Sequence, residues 1–511
     1  MNSTTIWILV AFASYMAMML VIGASYMKTG KSTEDYFLGG RKLGGWVVAL
    51  SAQASDMSGW LLMGLPGSVY ALGTGQMWIA VGLFLGTVAN WLIISGRLRR
   101  YTIVANNSLT LPAYFENRFH DKKRILLGVS SAVIVIFFLV YTASAFASGG
   151  KLFSTVFGCS YHVSLTIGAV IILAYTFMGG FMAVCTTDFV QGMLMLIALV
   201  TVPIVAFALM GGNVGAALEQ TGVSATNFLN VMKNGDNNFS AVEIISQLAW
   251  GLGYCGMPHI LVRFMAVKNQ KELNKSKGIA IIWVAISLAF AVVIGVLGRA
   301  FLYPTILGAD GSSTEIVFIE MIKQVFTVDI RLPIVAGLFL CGILAAIMST
   351  ADSQLLVTAS SVSEDIYKGI VKKNASQDNV MKVSKITVVA VAVLAYLIAW
   401  DPNSSIMGLV SNAWAGLGAA FGPTVLMSLF WKRCNLPGAV AGILSGGLTV
   451  IIWDYIPLAA GQTLGAVPGL YSLAIGFLIS IVLIVVVSLC TKEPEASIVA
   501  EFERVASDEE V

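Results

Sequence analysis

The sequence is poor in charge. Lysine, arginine, aspartate and glutamate make up 11% of its 511 residues, whereas a soluble globular protein carries about 25%. The formal net charge is only +3, which is too small to favour a nucleic acid or another polyanion as a partner. This composition excludes a soluble enzyme and a disordered chain, and it favours a chain whose main solvent is lipid.

Cysteine and histidine are too few and too scattered to suggest a site of their own. The six cysteines include no CxxC pair, and the three histidines are far apart. We therefore predict neither a disulfide framework nor a zinc site. The sequence also lacks a P-loop and the TVGYG filter of potassium channels, so we expect no bound cofactor, no direct use of ATP and no enzymatic activity.

Long apolar runs are what the sequence has in abundance. A helix that crosses a bilayer needs about 20 mostly apolar residues. A membrane β-strand would be half as long and would alternate polar with apolar residues. About 13 runs predict an all-α integral membrane protein. They are Ile6–Met27, Gly44–Val69, Gln76–Gly96, Ile125–Leu152, Val163–Val184, Phe189–Met210, Val242–Met265, Gly278–Leu302, Leu332–Val357, Ile386–Trp400, Ile406–Trp431, Ala439–Ile456 and Leu470–Leu489.

Basic residues give the expected orientation. If the N-terminus lies outside, most of the 30 lysines and arginines fall in cytoplasmic loops, Lys28 and Lys31 among them. The exceptions are Lys151, Lys233, Arg299, Lys323 and Arg331. Since cytoplasmic loops are rich in basic residues, we predict an outer N-terminus and an inner C-terminus. Residues 491–511 are acidic and show no apolar face, so we expect a solvated cytoplasmic tail there.

The second apolar run contains polar residues that are costly in lipid. It reads SAQASDMSGWLLMGLPG from Ser51 to Gly67, with Asp56 near its middle. Gly59 and Pro66 weaken the helix, and a broken helix exposes backbone carbonyls that suit Na⁺. The alternative is a kinked helix in which Asp56 is a structural residue bonded to backbone amides.

The seventh run also predicts an interrupted helix. It contains WGLGYCGMPHI, from Trp250 to Ile260, and its glycines and proline oppose a straight helix. Trp250 and Tyr254 are four residues apart and would share a helix face. Such a pair suits a small, partly apolar ligand, although lipid-interface aromatics beside a packing kink would look the same. We expect His259 to be a structural hydrogen-bond donor.

Two further segments could bind or attract a cation. In the ninth run, LAAIMSTADSQLL, the residues Ala346, Ser349 and Thr350 lie on one helix face. Their oxygens could complete a cation site, or the hydroxyls could bond back to their own helix. Asp188 begins the sixth run, where it could attract a cation or cap the helix.

The two interrupted runs suggest an internal repeat. They lie five runs apart and open two units of five helices each, at residues 44–210 and 242–431. Because five is odd, the units have inverted topology. Interrupted helices at corresponding positions of inverted repeats are typical of alternating-access transporters that bind their substrate near the bilayer midplane.

Four motifs resemble the solute:sodium symporter family: SDMSGWLLMGLPG, WGLGYxGxPH, LAAxMST and SLTLPAYF. The similarity covers nearly the whole chain, and it is greatest to the branch that transports L-proline. It implies a monomeric transporter domain, residues 1–490, that takes up Na⁺ and L-proline together across a bacterial cell membrane. Departures near Gln53, Cys255 and Met257 leave another amino acid or a monocarboxylate open as substrate. The second alternative is a non-transporting sensor of the same fold. Such a sensor needs an output domain or a docking surface, and the short tail offers little of either.

The resemblance also implies roles for individual residues. The implied sodium ligands are the carbonyls of Ala54, Met57 and Ala346 and the hydroxyls of Ser349 and Thr350. The implied substrate site comprises Gln53, Ser58, Tyr141, Trp250, Tyr254 and Pro258. Asp56 matches an aspartate needed for sodium dependence, and Arg41 and Asp188 match residues on the cytoplasmic side of the transport path.

Overall fold

The computed structural model describes residues 3–26, 33–177, 180–309, 313–457, 463–465 and 469–507. This part of the chain is almost entirely helical, which confirms the predicted all-α class. Its α-helices are α1 (Ser3–Tyr26), α2 (Thr33–Leu38), α3 (Gly45–Asp56), α4 (Leu65–Leu72), α5 (Met77–Ala89), α6 (Ser95–Val104), α7 (Leu111–Arg118), α8 (Ile125–Phe157), α9 (Tyr161–Thr176), α10 (Phe181–Leu209), α11 (Val214–Gln220), α12 (Ala225–Phe228), α13 (Ala241–Leu248), α14 (Pro258–Ala266), α15 (Gln270–Phe301), α16 (Val317–Lys323), α17 (Pro333–Ser360), α18 (Gln377–Ile398), α19 (Ile406–Phe430), α20 (Leu436–Tyr455), α21 (Ser472–Cys490) and α22 (Ala496–Ala506).

Shorter elements complete the helical chain. The 3₁₀ segments are Gly39–Arg41, Thr74–Gln76, Ala249–Gly256 and Thr314–Ile316, and the π-helical segments are Trp60–Gly64, Asn90–Ile94, Gln324–Asp329 and Ser361–Val371. Among the described residues, 10 helices are long and apolar enough to cross a membrane. Two shorter apolar helices, Trp60–Leu72 and Tyr161–Thr176, accompany them. The expected total of about 13 spans stays a prediction.

Helix ends differ from the ends of the apolar runs. The run Val163–Val184 covers the end of α9 at Thr176 and the start of α10 at Phe181, about two turns before the predicted start at Phe189. Hydropathy misplaced this start because α10 keeps polar side chains, including Asp188, within its first turns. Residues 178–179 of that run lie outside the described residues, as do Met27, Lys28 and Lys31.

Both predicted interruptions are confirmed. After α3 ends at Asp56, Met57 adopts φ −81° and ψ 75°, and the chain becomes helical again before the π segment Trp60–Gly64. At the second interruption α13 ends at Leu248, the 3₁₀ segment Ala249–Gly256 follows, and Met257 is extended at φ −84° and ψ 105° before α14. Each break places backbone and side-chain polar groups inside the helix bundle.

Glycines bring the second break into direct backbone contact with α5. A Cβ atom on Gly251 would lie 2.1 Å from the carbonyl oxygen of Gly82. Conversely, a Cβ on Gly86 would lie 2.2 Å from the carbonyl oxygen of Gly251. Only residues without side chains allow this approach, which holds the 3₁₀ segment against its neighbour.

We expect Gly251→Ala to destabilise the protein by about 1–3 kcal/mol, because the added methyl group must push two backbones apart. The measurement is the unfolding temperature of the purified protein in detergent. Gly278→Ala on α15 is the matched control, since no described atom lies within 4 Å of its added Cβ. Alanine is the better helix former, so the control should unfold at the same temperature or higher. Equal shifts in both variants would contradict the close packing.

The connections from α10 to α13 and from α15 to α17 contain short structural elements. Residues 211–241 form α11, α12 and a small antiparallel ribbon of β1 (Lys233–Asn234) and β2 (Asn237–Asn238). In residues 303–331, Glu315 accepts hydrogen bonds from the backbone amides of Ile406 and Met407 at the start of α19. It also pairs with Lys151 of α8, at 2.6 Å. A carboxylate is favourable at a helix N-terminus, so this segment is anchored across the start of α19.

The expectation of a tail without an apolar face is wrong for α22. Its residues Ile498, Phe502 and Val505 are buried, and they recur at the spacing of a single helix face. The Arg97 guanidinium lies 4.9 Å from the centre of the Phe502 ring, and that of Arg118 lies 5.6 Å from it. The overall acidity of the tail hid this apolar face, and α22 packs against α6. Residues 508–511 lie outside the described residues.

Candidate functional site

The predicted sodium ligands converge where α17 meets the end of α3. The Ser349 hydroxyl donates to the carbonyl oxygen of Ala54 at 2.7 Å, and the Thr350 hydroxyl lies 3.5 Å from the same oxygen. Ser349 also lies 3.3 Å from the carbonyl of Ala346, and all four residues are fully buried. Met57 occupies the adjacent break. The two hydroxyls therefore do more than bond back within their own helix.

The break explains why the Ala54 carbonyl is available. In a continuous helix the amide of Ser58 would donate to the carbonyl four residues before it, that of Ala54. Here the Ser58 amide donates to the carbonyl of Asp56 at 2.9 Å. The carbonyl of Ala54 is therefore free to meet the hydroxyls of α17, as the glycine-rich sequence after Asp56 had suggested.

Asp56 joins the two broken helices. Its Oδ2 accepts a hydrogen bond from the Tyr254 hydroxyl at 2.6 Å. Its Oδ1 is buried and has no hydrogen-bond partner within the described ranges. The contact is to a phenol from the second broken helix, not to backbone amides, so the structural alternative for Asp56 does not describe what is seen. One carboxylate oxygen remains available to a ligand.

The aromatic pair of the second break does not share a face as expected. Tyr254 packs edge-on against Trp414, with ring centres 5.1 Å apart, while Trp250 stacks on Tyr471 at 5.2 Å. The expectation assumed an α-helix, but this segment is 3₁₀, with three residues per turn. The two rings are still connected, because the Trp414 indole donates to the Trp250 carbonyl at 2.8 Å.

Three more predicted substrate residues lie at or beside the breaks. The buried Tyr141 hydroxyl of α8 lies beside Ser58 but forms no hydrogen bond with a described residue. Pro258 is the first residue of α14, next to His259, whose ring is 6.2 Å from that of Tyr141. The interpretation of Gln53 changes, because its amide donates to the carbonyl of Ala280 on α15 at 3.3 Å and so serves helix packing.

Asp188 belongs to a buried charged cluster that sequence reasoning missed in part. It lies about two turns inside α10, so the capping interpretation is wrong. Its Oδ2 accepts from Arg263 at 3.0 Å and from Ser51 at 2.6 Å. Arg263 also donates to Ser353 at 2.6 Å, beside the fully buried Asp352. Arg263 lies within the seventh apolar run, Val242–Met265, and an ionisable residue inside such a run is a signal of function.

Arg41 ties several segments together at one end of the bundle. Its guanidinium donates to the carbonyl of Met265 at 2.5 Å and to that of Ser108 at 3.0 Å. It thereby links the segment before α3 to the C-terminal end of α14 and to the SLTLPAYF motif. A narrow cavity lined by Pro258 and Thr110, among others, joins the second break to the same motif.

The fold is shared with solved cation-coupled symporters. A Na⁺-coupled sialic acid symporter, in a substrate-bound outward-open state, matches with a TM-score of 0.77 and 21% identity over 96% of this chain and 99% of that chain. Mhp1, a nucleobase-cation-symport-1 family transporter, matches with a TM-score of 0.54 and 12% identity over 92% and 98%. At these identities the likeness shows the fold alone.

The chain belongs to the sodium:solute symporter family, whose model matches residues 36–446. A sodium/proline symporter of Staphylococcus aureus is 44% identical over 501 residues, which are 97% of this chain and 95% of the relative. The relative from S. aureus strain JH9 is 44% identical over 502 residues. The family predicted from the four motifs is thus confirmed, and its members are multi-pass membrane transporters that use sodium as the coupling ion.

Proposed function

We propose that this chain imports L-proline together with Na⁺ by alternating access. The hydrogen bond between Asp56 and Tyr254 carries the proposal, because it connects the broken helix that meets the hydroxyls of α17 to the broken helix that carries the aromatic side chains. The 44% identity to sodium/proline symporters over nearly the whole chain supports proline as the substrate. Each charge that moves inward through 100 mV supplies about 2.3 kcal/mol, enough for substantial accumulation.

The proposed sodium site is built from oxygen atoms alone, as a hard cation requires. The hydroxyls of Ser349 and Thr350 already point at the carbonyl of Ala54. We assign them to the ion together with the carbonyls of Ala346 and Met57. Asp56 lies two residues after Ala54, so its charge favours a cation in the same dry region.

The proposed substrate site lies between the two breaks. Aromatic rings suit the pyrrolidine ring of proline, and a secondary ammonium gains energy over an aromatic face. The residues assigned to this site are Ser58, Tyr141, Trp250, Tyr254 and Pro258. Gln53 supports it through α15. Asp188 and Arg41 organise the side of the bundle where α14 ends, which we propose as the route to the cytoplasm.

We propose the topology that the basic residues predict. The N-terminus is outside, the C-terminus is inside, and about 13 spans form one monomeric transporter domain over residues 1–490. The two broken helices open the units 44–210 and 242–431, which supports an inverted repeat of five helices each.

Uptake of labelled L-proline into proteoliposomes tests the function. Uptake should require an inward sodium gradient, and an inside-negative potential should accelerate it because a net positive charge enters. A proton gradient without sodium is the control. Sodium-dependent uptake of another amino acid or a monocarboxylate, with no uptake of proline, would identify a different substrate. Absence of sodium dependence would overturn the mechanism.

Trp250→Ala should raise the KM for proline about 2- to 30-fold, because the loss of a cation–π contact of about 0.5–2 kcal/mol has that effect. Initial uptake rates over a range of proline concentrations measure it. Trp7→Ala on the exposed face of α1 is the matched control and should leave KM unchanged, since Trp7 is 49% exposed. Wild-type kinetics in Trp250→Ala would place the substrate elsewhere.

A further inference from the structure

We propose that the imidazole of His259 binds the carboxylate of the transported amino acid, together with the Tyr141 hydroxyl. The proposal rests on the proposed function and adds a residue that sequence reasoning had assigned to structure. His259 is 0% exposed. Neither Nδ1 nor Nε2 of its ring has a hydrogen-bond partner in the described part of the chain.

Such a side chain is unusual in a folded protein. Buried polar side chains nearly always have a hydrogen-bond partner, and exceptions call for an explanation. The neighbouring rings pack against the His259 ring but form no hydrogen bond with it. Phe138 and Tyr141 meet it edge-on, with ring centres 5.5 and 6.2 Å away. The backbone of His259 is held by a hydrogen bond, because the Arg263 guanidinium donates to the His259 carbonyl at 2.5 Å.

The position of His259 connects it to the proposed substrate site. It follows Pro258 directly after the second break, in the first turn of α14. Its ring neighbour Tyr141 also has an unpartnered hydroxyl in the described part of the chain and lies beside Ser58 in the first break. The unpartnered groups of α8 and α14 are therefore carried by neighbouring rings beside the two breaks.

The polar atoms that have no described partner match the carboxylate and the ammonium group of an α-amino acid. A carboxylate needs hydrogen-bond donors, and a neutral imidazole always supplies one N–H, as a phenol supplies one O–H. Tyr254 is not available for this, because it already donates to Asp56. Asp56 Oδ1 is an acceptor and suits the ammonium group or the cation. His259 and Tyr141 are then two neighbouring donors that can bind the carboxylate.

The test compares ligands with and without a carboxylate. Uptake of L-proline, and its inhibition by pyrrolidine, are measured in proteoliposomes for wild type, His259→Phe and His259→Gln. We expect His259→Phe to raise the proline KM at least tenfold and to leave pyrrolidine inhibition nearly unchanged. His259→Gln keeps an N–H donor and should recover part of the proline affinity. His162→Phe on α9 is the matched control and should keep both values.

Several outcomes would overturn the inference. An unchanged ratio of proline affinity to pyrrolidine affinity in His259→Phe would show that the ring only packs, even if transport slows. If His259→Phe does not fold, the ratio of proline affinity to pyrrolidine affinity is measured in His259→Gln and His259→Ala instead. A wild-type proline KM and a wild-type ratio in both of these variants would also reject the role. Absence of sodium-dependent proline uptake in wild type would overturn the proposed function and this inference together. Normal wild-type uptake with unaffected variants overturns the inference alone.

Discussion

Asp56→Asn is expected to need at least tenfold more sodium for half-maximal proline uptake, or to lose transport, while the protein stays folded. Asparagine keeps the size of the side chain, and its amide oxygen can still accept the hydrogen bond from Tyr254. It removes the charge that favours a cation in a site with no water to replace it. Uptake at a series of sodium concentrations measures the change.

Asp56→Glu separates charge from geometry in the same experiment. It keeps the carboxylate but displaces it by one methylene group, so we expect activity between those of wild type and Asp56→Asn. Asp401→Asn, at an exposed position between α18 and α19, controls for the loss of a negative charge. If Asp56→Asn follows the wild-type sodium titration, Asp56 is a structural residue after all.

Ser349→Ala and Thr350→Ala should each lower the apparent sodium affinity tenfold or more. Each removes an oxygen that water cannot replace in a dry site, and a tenfold loss corresponds to about 1.4 kcal/mol. At saturating sodium the proline KM should change much less. Sodium titrations of proline uptake provide the measurement.

The same helix provides the control for these variants. The Ser360 hydroxyl bonds back to the carbonyl of Val357 in its own helix at 2.8 Å. Ser360→Ala should therefore retain wild-type sodium dependence. If Ser349→Ala and Thr350→Ala behave like Ser360→Ala, neither hydroxyl contributes to the ion site.

The sequence predicted what depends on local chemistry. Apolar runs located the helices because crossing or filling an apolar layer requires them. Glycine and proline located both breaks because these residues disfavour a continuous helix. The backbone around Met57 follows that expectation. The contact of Ser349 with Ala54 agrees with what the family resemblance implies, which is more than local chemistry could predict.

Other features depend on partners distant in sequence. The ion pair of Arg263 with Asp188 joins residues 75 positions apart, and no local pattern announces it. The 3₁₀ geometry of Ala249–Gly256 arises where Gly251 packs on Gly82, so spacing alone gave the wrong relation between Trp250 and Tyr254. Phe502 packs against Tyr101 and against the guanidinium groups of Arg97 and Arg118, all distant from it in sequence.

The hydrogen bond between Tyr254 and Asp56 has a thermodynamic consequence for the proposed transport cycle. It links a helix assigned to the ion with a helix assigned to the amino acid, so each ligand changes the other's binding equilibrium. Such linkage is reciprocal: the factor by which sodium tightens proline binding equals the factor by which proline tightens sodium binding. Weakening the bond is therefore expected to lower, by the same factor, the gain in proline affinity that sodium gives and the gain in sodium affinity that proline gives.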